Sequence, residues 1–236
     1  MTMEFAWKAA LSGICLGGVA GWIIASFTFQ LPVRWNHFMH IEALECLGIT
    51  DNAVPPPPLL ILRKKVGLRS TVIVLLCVVE TILAITAKGV GPSTIPLLVF
   101  AYGLTAAAIV DHEHMILPDS IVQPLLWSGL VYVAILVPAD LQSHVLGAAV
   151  GYCLLRWLPS IGEGDAKLCA AAGAWIGLSA LPLFLMIGGG LGVASALIYF
   201  WRRRKSAACP FGPPLALAAL TIMTADALGL STALFG

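Results

Sequence analysis

Residues 167–201 read KLCAAAGAWIGLSALPLFLMIGGGLGVASALIYFW, an apolar run whose only charge is Lys167 at its start. A transmembrane helix needs roughly 20 apolar residues to cross about 30 Å of hydrocarbon, and somewhat shorter spans are served by local thinning or snorkelling flanks. Asp165 lies just before the run, and Arg202, Arg203, Arg204 and Lys205 lie just after it. If both ends face the same side, the run crosses twice. Gly177, Pro182 and the triplet Gly188 to Gly190 interrupt it, and a tight helical hairpin near Ser179 to Pro182 is the expected turn.

Applied to the whole chain, the same rule marks eight spans: 7–29, 70–87, 93–110, 120–137, 141–158, 167–180, 182–201 and 213–233. The expected fold is all-α, a polytopic membrane helical bundle of about eight transmembrane helices. Composition agrees, with 59% hydrophobic residues against 11% charged, far from a water-soluble domain. The stretch from Ala6 to Phe29 is too long for a signal-peptide core and reads as a retained span. A formal net charge of +1 shows no basic excess that would point to nucleic acid.

Orientation follows from Lys and Arg, which accumulate in loops that stay inside. Arg34, Arg63, Lys64, Lys65 and Arg69 fall in the first loop, Arg156 and Lys167 flank the third cytoplasmic loop, and Arg202 to Lys205 lie in the last. Only Lys8 and Lys88 fall on the opposite side, which places both termini outside. The first loop, from Gln30 to Arg69, is the one sizeable polar region, and its Pro55 to Pro58 run favours extended geometry over a packed core. The six cysteines are scattered singly, which suggests neither a disulfide framework nor a zinc ribbon.

Acids within or at the edge of spans are costly and call for explanation. Four qualify: Glu80, Asp111, Asp165 and Asp226. Asp111 ends the third span, and Asp165 closes Gly162-Glu163-Gly164-Asp165 immediately before the sixth, so both fall at the cytoplasmic boundary. Two carboxylates brought together at a partly desolvated site share a proton. Such a pair suits peptide hydrolysis, where one group takes a proton from the attacking water and the other donates to the oxyanion and the leaving amine. Gly162 and Gly164 would let an extended substrate approach closely. Equally, the two acids could be helix-end charges, with Asp165 acting as an N-cap.

Further residues narrow the choice. Asp111 with Leu117-Pro118-Asp119, then Gly162 to Leu168 with Gly173-Ala174-Trp175-Ile176-Gly177, and then Pro210-Phe211-Gly212-Pro213 with Leu215-Ala216-Leu217, occur in that order. This set resembles the type IV prepilin peptidases, membrane aspartic peptidases of the GxGD type, over roughly Ser93 to the C-terminus. The resemblance implies that Asp111 and Asp165 are the catalytic pair and that Asp119, Gly162, Gly164 and Lys167 support them. It also implies prepilin or pseudopilin precursors as partners, lipid contact, a multi-pass position in the inner (cytoplasmic) membrane, and no cofactor. Residues 1–69 would then be a first helix with a degenerate loop, and 70–236 the membrane-embedded peptidase core.

The chain departs from that family in its first loop. Bifunctional members carry two C-x-x-C pairs there, which suit zinc, and also methylate the new N-terminus; this loop has only Cys46. Ala25 and Gln30 stand where the family has Asn and Arg before Leu31-Pro32, so methyltransferase activity is not expected. Glu80 loosely matches a family Glu in the second span. His112, Glu113 and His114 read as a solvated loop rather than a metal site, as do His37, His40, Glu42 and Cys46. The seven tryptophans sit mostly near span ends, where indole favours the interface. Gly147, Gly151 and the Gly188 to Gly192 region suit close helix packing, and Asp226 is assigned no role. The competing functions are a proton-coupled transporter, whose acids would lie deeper and often in inverted repeats, and an inactive prepilin-binding relative.

Overall fold

A computed structural model describes residues 3–46, 67–158, 161–203 and 209–230, and these are helical with no strand among them. The α-helices are α1 (Met3–Cys46), α2 (Leu68–Lys88), α3 (Ile95–His114), α4 (Asp119–Leu136), α5 (Leu141–Arg156), α6 (Glu163–Arg203) and α7 (Gly212–Ala227). Short 3-10 turns, Pro92–Thr94 and Pro138–Asp140, precede α3 and α5. Five segments are long and apolar enough to cross a membrane: Leu11–Leu31, Leu68–Lys88, Pro92–His114, Asp119–Leu136 and Glu163–Trp201. The protein is a polytopic helical bundle. Leu75, Val79, Ile135 and Met186 point outward, an apolar exterior that suits lipid.

α1 runs well past the expected end of the first span, carrying helix through Gln30 to Cys46 where a loop was anticipated. The Pro55 to Pro58 run lies outside the described residues. Along α1, Gly13, Gly17 and Gly21 recur every four residues and face α2 in descending order, against Ile82, Val78 and Val74. A Cβ at Gly17 would fall 2.6 Å from the Val78 Cα, and one at Gly21 would fall 2.7 Å from the Val74 Cα. The two helices are therefore antiparallel and almost in backbone contact, the close approach that small-residue stripes permit in lipid.

α6 is two limbs joined at Gly177, whose φ of 77° and ψ of 173° break the helix. Gly192 packs on Phe211, the residue before Gly212, whose amide bonds Asp111; Asp165 in turn lies close enough to Asp111 to feel its charge. An unbroken helix would separate positions 165 and 192 by about 40 Å, so the chain doubles back. The reversal falls at Gly177 rather than at Ser179 to Pro182, and Pro182 is absorbed into the second limb. The reason is local: only glycine adopts this backbone conformation cheaply, and α5 supplies the caps. Ser143 Oγ accepts the Leu178 N–H at 3.1 Å, and His144 Nδ1 donates to the Ala174 carbonyl at 2.9 Å. Gly147 on α5 and Gly173 on α6 meet backbone to backbone, and Gly151 lies against Cys169.

The core gathers Phe100, Leu104, Leu168, Trp175, Leu181, Phe184 and Leu215 from α3, both limbs of α6, and α7. Trp175 is not interfacial. It is 3% exposed, its Nε1–H donates to the Leu125 carbonyl at 2.7 Å, and its ring stacks on Tyr132 and tilts against Phe100. An indole so deep needs a partner for its N–H. The ring comes this close to α4 because Gly129 stands one turn after Leu125: a Cβ there would fall 2.6 Å from the indole Cδ1 and Nε1.

Candidate active site

Three helix termini meet at one end of the bundle. The last turns of α3 carry Ala106, Ala107 and Val110 into the core, and Asp111 follows them inward, 5% exposed. It is the one carboxylate that the described residues bury outright. The helix ends at Met115, which takes a left-handed φ of 54° as its N–H donates to the Asp111 carbonyl at 2.8 Å. Pro118 then starts α4, its carbonyl accepting the Ile121 and Val122 amides. This turn carries Leu117 over Gly164, where a Cβ would approach the Leu117 Cβ to 2.8 Å.

Gly162 caps α6, its carbonyl accepting the amides of Asp165 at 3.1 Å and Ala166 at 3.3 Å. Asp165 is thus in the first turn rather than at the cap. Its carboxylate lies back against Gly162, where a Cβ would be 3.2 Å from Oδ2. A helix N-terminus favours negative charge at such a position.

α7 supplies the third terminus. Helix N-termini leave amides without intrahelical partners, and the Gly212 N–H donates to Asp111 Oδ2 at 2.8 Å. A Cβ on Gly212 would stand 2.7 Å from that oxygen, so only glycine allows this approach. Asp111 and Asp165 are near enough for their charges to repel one another. Two such carboxylates, flanked by two helix N-termini, are not both easily ionised, so one can serve as acid and the other as base toward a bound molecule.

The other residues singled out in the sequence fall nearby. Lys167 Nζ bridges Asp119, at 3.0 and 3.1 Å, and Glu163, at 3.2 Å. Asp119 and Glu163 are more than half exposed, so they rim the site. Glu113 is not merely a solvated loop residue: Arg69 donates Nε and Nη2 to its carboxylate, and reaches the Ala25 carbonyl and Thr28 Oγ1 of α1, each at 3.1 Å. One guanidinium thereby ties together α1, α2 and α3. Among the described residues no three His, Cys, Asp or Glu side chains converge as a metal site requires. Asp226 is exposed in the last turn of α7, away from this end. Nothing local in Pro210 to Pro213 shows that Gly212 holds Asp111, and no local signal marks Arg69 as a tie.

The sequence pattern of the type IV leader peptidase family matches residues 98–197, which includes Asp111, Asp119 and Asp165. Among curated relatives, the prepilin leader peptidase/N-methyltransferase of Escherichia coli (strain K12) is 35% identical over 169 residues, 67% of this chain and 75% of the relative. That of Pseudomonas putida is 35% identical over 171 residues, 66% of this chain and 58% of the relative. That of Burkholderia pseudomallei (strain K96243) is 41% identical over 142 residues, 53% of this chain and 45% of the relative. The chain thus spans about half the length of the latter two. No solved structure matches it.

Proposed function

The chain belongs to the type IV leader peptidase family, and on that premise we propose that it is an aspartic endopeptidase that cuts the leader from prepilin-like precursors at the cytoplasmic face of the inner membrane. The observation that carries the reading is the convergence of Asp111, buried and held by the Gly212 amide, with Asp165 at the head of α6. A base and an acid are needed within reach of one carbonyl, and this pair offers both.

In the reaction one ionised carboxylate takes a proton from water as the water oxygen bonds to the scissile carbonyl carbon. The partner carboxylic acid gives its proton to the developing oxyanion, and a tetrahedral diol forms. The C–N bond then breaks as the aspartic acid that took the water proton passes it to the leaving amine. The other aspartate recovers a proton from a diol hydroxyl as the new carboxyl group forms, so the pair again holds one proton. Gly162 leaves exposed bare backbone beside Asp165, room for an extended peptide, whereas Gly164 is the seat of Leu117 and lets the α3–α4 turn close over the head of α6. Lys167 holds Asp119 and Glu163 at the rim and shapes the approach without taking part in proton transfer.

The reading is confined to cleavage. The relatives' names also carry N-methyltransferase, but residues 30–69 of this chain contain one cysteine, Cys46, and do not supply the thiolates of a tetrahedral zinc site. A transporter reading is less well supported, because both acids stand at one end of the bundle instead of midway along it. Co-expression with a leader-bearing prepilin tests the proposal: loss of the size shift on replacing either aspartate supports it, and continued cleavage by both variants overturns it.

A further inference from the structure

A second feature lies beside this site. α2, α3 and α7 leave between them a groove of about 570 Å³. His112 and Glu113 follow Asp111 on α3, and Pro213 follows Gly212 on α7, so the mouth of the groove is one residue from both partners of the Asp111–Gly212 hydrogen bond. From the Arg69–Glu113 pair at the rim it passes Val72, Leu76 and Leu217, all well exposed, and reaches Glu80 and Thr105. Along α2, Glu80 stands about 16 Å beyond Arg69 at 1.5 Å per residue.

The Thr105 hydroxyl donates to Glu80 Oε1, while Glu80 Oε2 is buried with no partner among the described residues. A carboxyl oxygen left unpaired in an apolar wall at lipid depth is costly, and such groups usually serve a function. Between its polar mouth, formed by Arg69, His112 and Glu113, and the Glu80–Thr105 pair the groove is apolar, and it starts where the cut would be made. A peptide that continues from a cut at the membrane edge into hydrocarbon must be helical, since only a helix satisfies its own backbone there.

We propose that this groove seats the apolar helix that continues from the substrate's cut bond into the bilayer, and that the Glu80–Thr105 pair receives a hydrogen-bonding side chain of that helix about three turns in from the mouth. The proposal rests on the peptidase reading and adds where the substrate lies and what sets its register. Lipid chains and a second copy of this protein are the other possible occupants.

The test uses the full chain co-expressed with a prepilin precursor. A photo-crosslinking residue is placed at Leu76 or Leu217 in the groove, or at Leu154 on the outer face of α5, in an Asp111→Asn background that does not consume the substrate. Precursor adducts at Leu76 and Leu217 should exceed those at Leu154 about tenfold, a preference that a desolvated binding groove would produce. Equal labelling at all three positions, adducts to lipid alone, or adducts to a second copy would overturn the proposal. In the otherwise unaltered chain, Leu76→Trp and Leu217→Trp narrow the groove and should raise KM about tenfold with kcat within about twofold. Glu80→Leu should do the same and Glu80→Gln, which keeps a hydrogen-bonding group, should not; unchanged KM in Leu76→Trp, Leu217→Trp and Glu80→Leu would overturn the assignment. Failure of the unaltered chain to cleave would overturn the peptidase reading itself, whereas cleavage without groove adducts would overturn the groove alone.

Discussion

The Gly212 amide donates to Asp111 Oδ2 at 2.8 Å, joining the start of α7 to the end of α3 across 101 positions of sequence. A methyl group on Gly212 would stand 2.7 Å from that oxygen and 2.9 Å from Cγ, so the carboxylate must move. Gly212→Ala should therefore lower leader cleavage about a hundredfold, the usual cost of an ångström's misplacement at a reacting group, with membrane insertion unchanged. A time course of prepilin conversion, set against the amount of protein in the membrane, measures it.

The aspartates should behave as one unit. Asp111→Ala and Asp165→Ala should each abolish cleavage, and the double variant should be no worse, because residues acting in one transition state are non-additive. Asn replacements should fail almost as completely, since an amide keeps the shape but cannot carry the proton. Multiplying losses in the double variant would mean two independent contributions.

Rim residues should matter far less. Lys167 bridges Asp119 and Glu163 where both acids are more than half exposed, and exposed ion pairs contribute about 0–1 kcal/mol. Asp119→Asn and Glu163→Gln should keep cleavage within about fivefold of the unaltered chain, a range that small energy of this kind allows. An inactive Asp119→Ala beside an active Asp111→Ala would move the first catalytic role to Asp119.

The reversal at Gly177 should be a point of fragility. Its φ of 77° and ψ of 173° lie in a region that side-chain-bearing residues enter at a cost of about 1–3 kcal/mol, and a Cβ would press on Ser143 Oγ at 3.2 Å. Gly177→Ala should lower the thermal midpoint in detergent, while Pro182→Ala, inside the second limb, should change it little. Comparable midpoints for the two variants would argue against a strained turn at Gly177.

Both aspartates must face the same compartment. Single cysteines at His114 and Glu163, in a background without other cysteines, should resist an impermeant thiol reagent added outside intact cells and react once the membrane is opened. Labelling of either from outside would break the proposed orientation.

The membrane class and most helices were legible in the sequence, because hydropathy summed over some twenty residues is a property of the local chain and lipid reads it directly. Asp111 and Asp165 were legible for a similar reason: charges at the ends of apolar runs stand out, and the glycines before Asp165 form a short contiguous pattern. Contacts between distant segments were not. Ser143 caps the Leu178 amide across 35 positions and helps to turn α6 at Gly177, although Pro182 was the stronger local breaker. Trp175 had the composition of an interface residue until Leu125 and Gly129 gave its indole a buried seat. Arg69 and Glu113 pair across 44 positions, and the Gly212 amide finds Asp111 across more than twice that span. Propensity and hydropathy act within a helix's own length, so sequence determined which segments are helices and which acids they carry; which helix ends meet depends on how the whole bundle packs, and only the tertiary structure decided it.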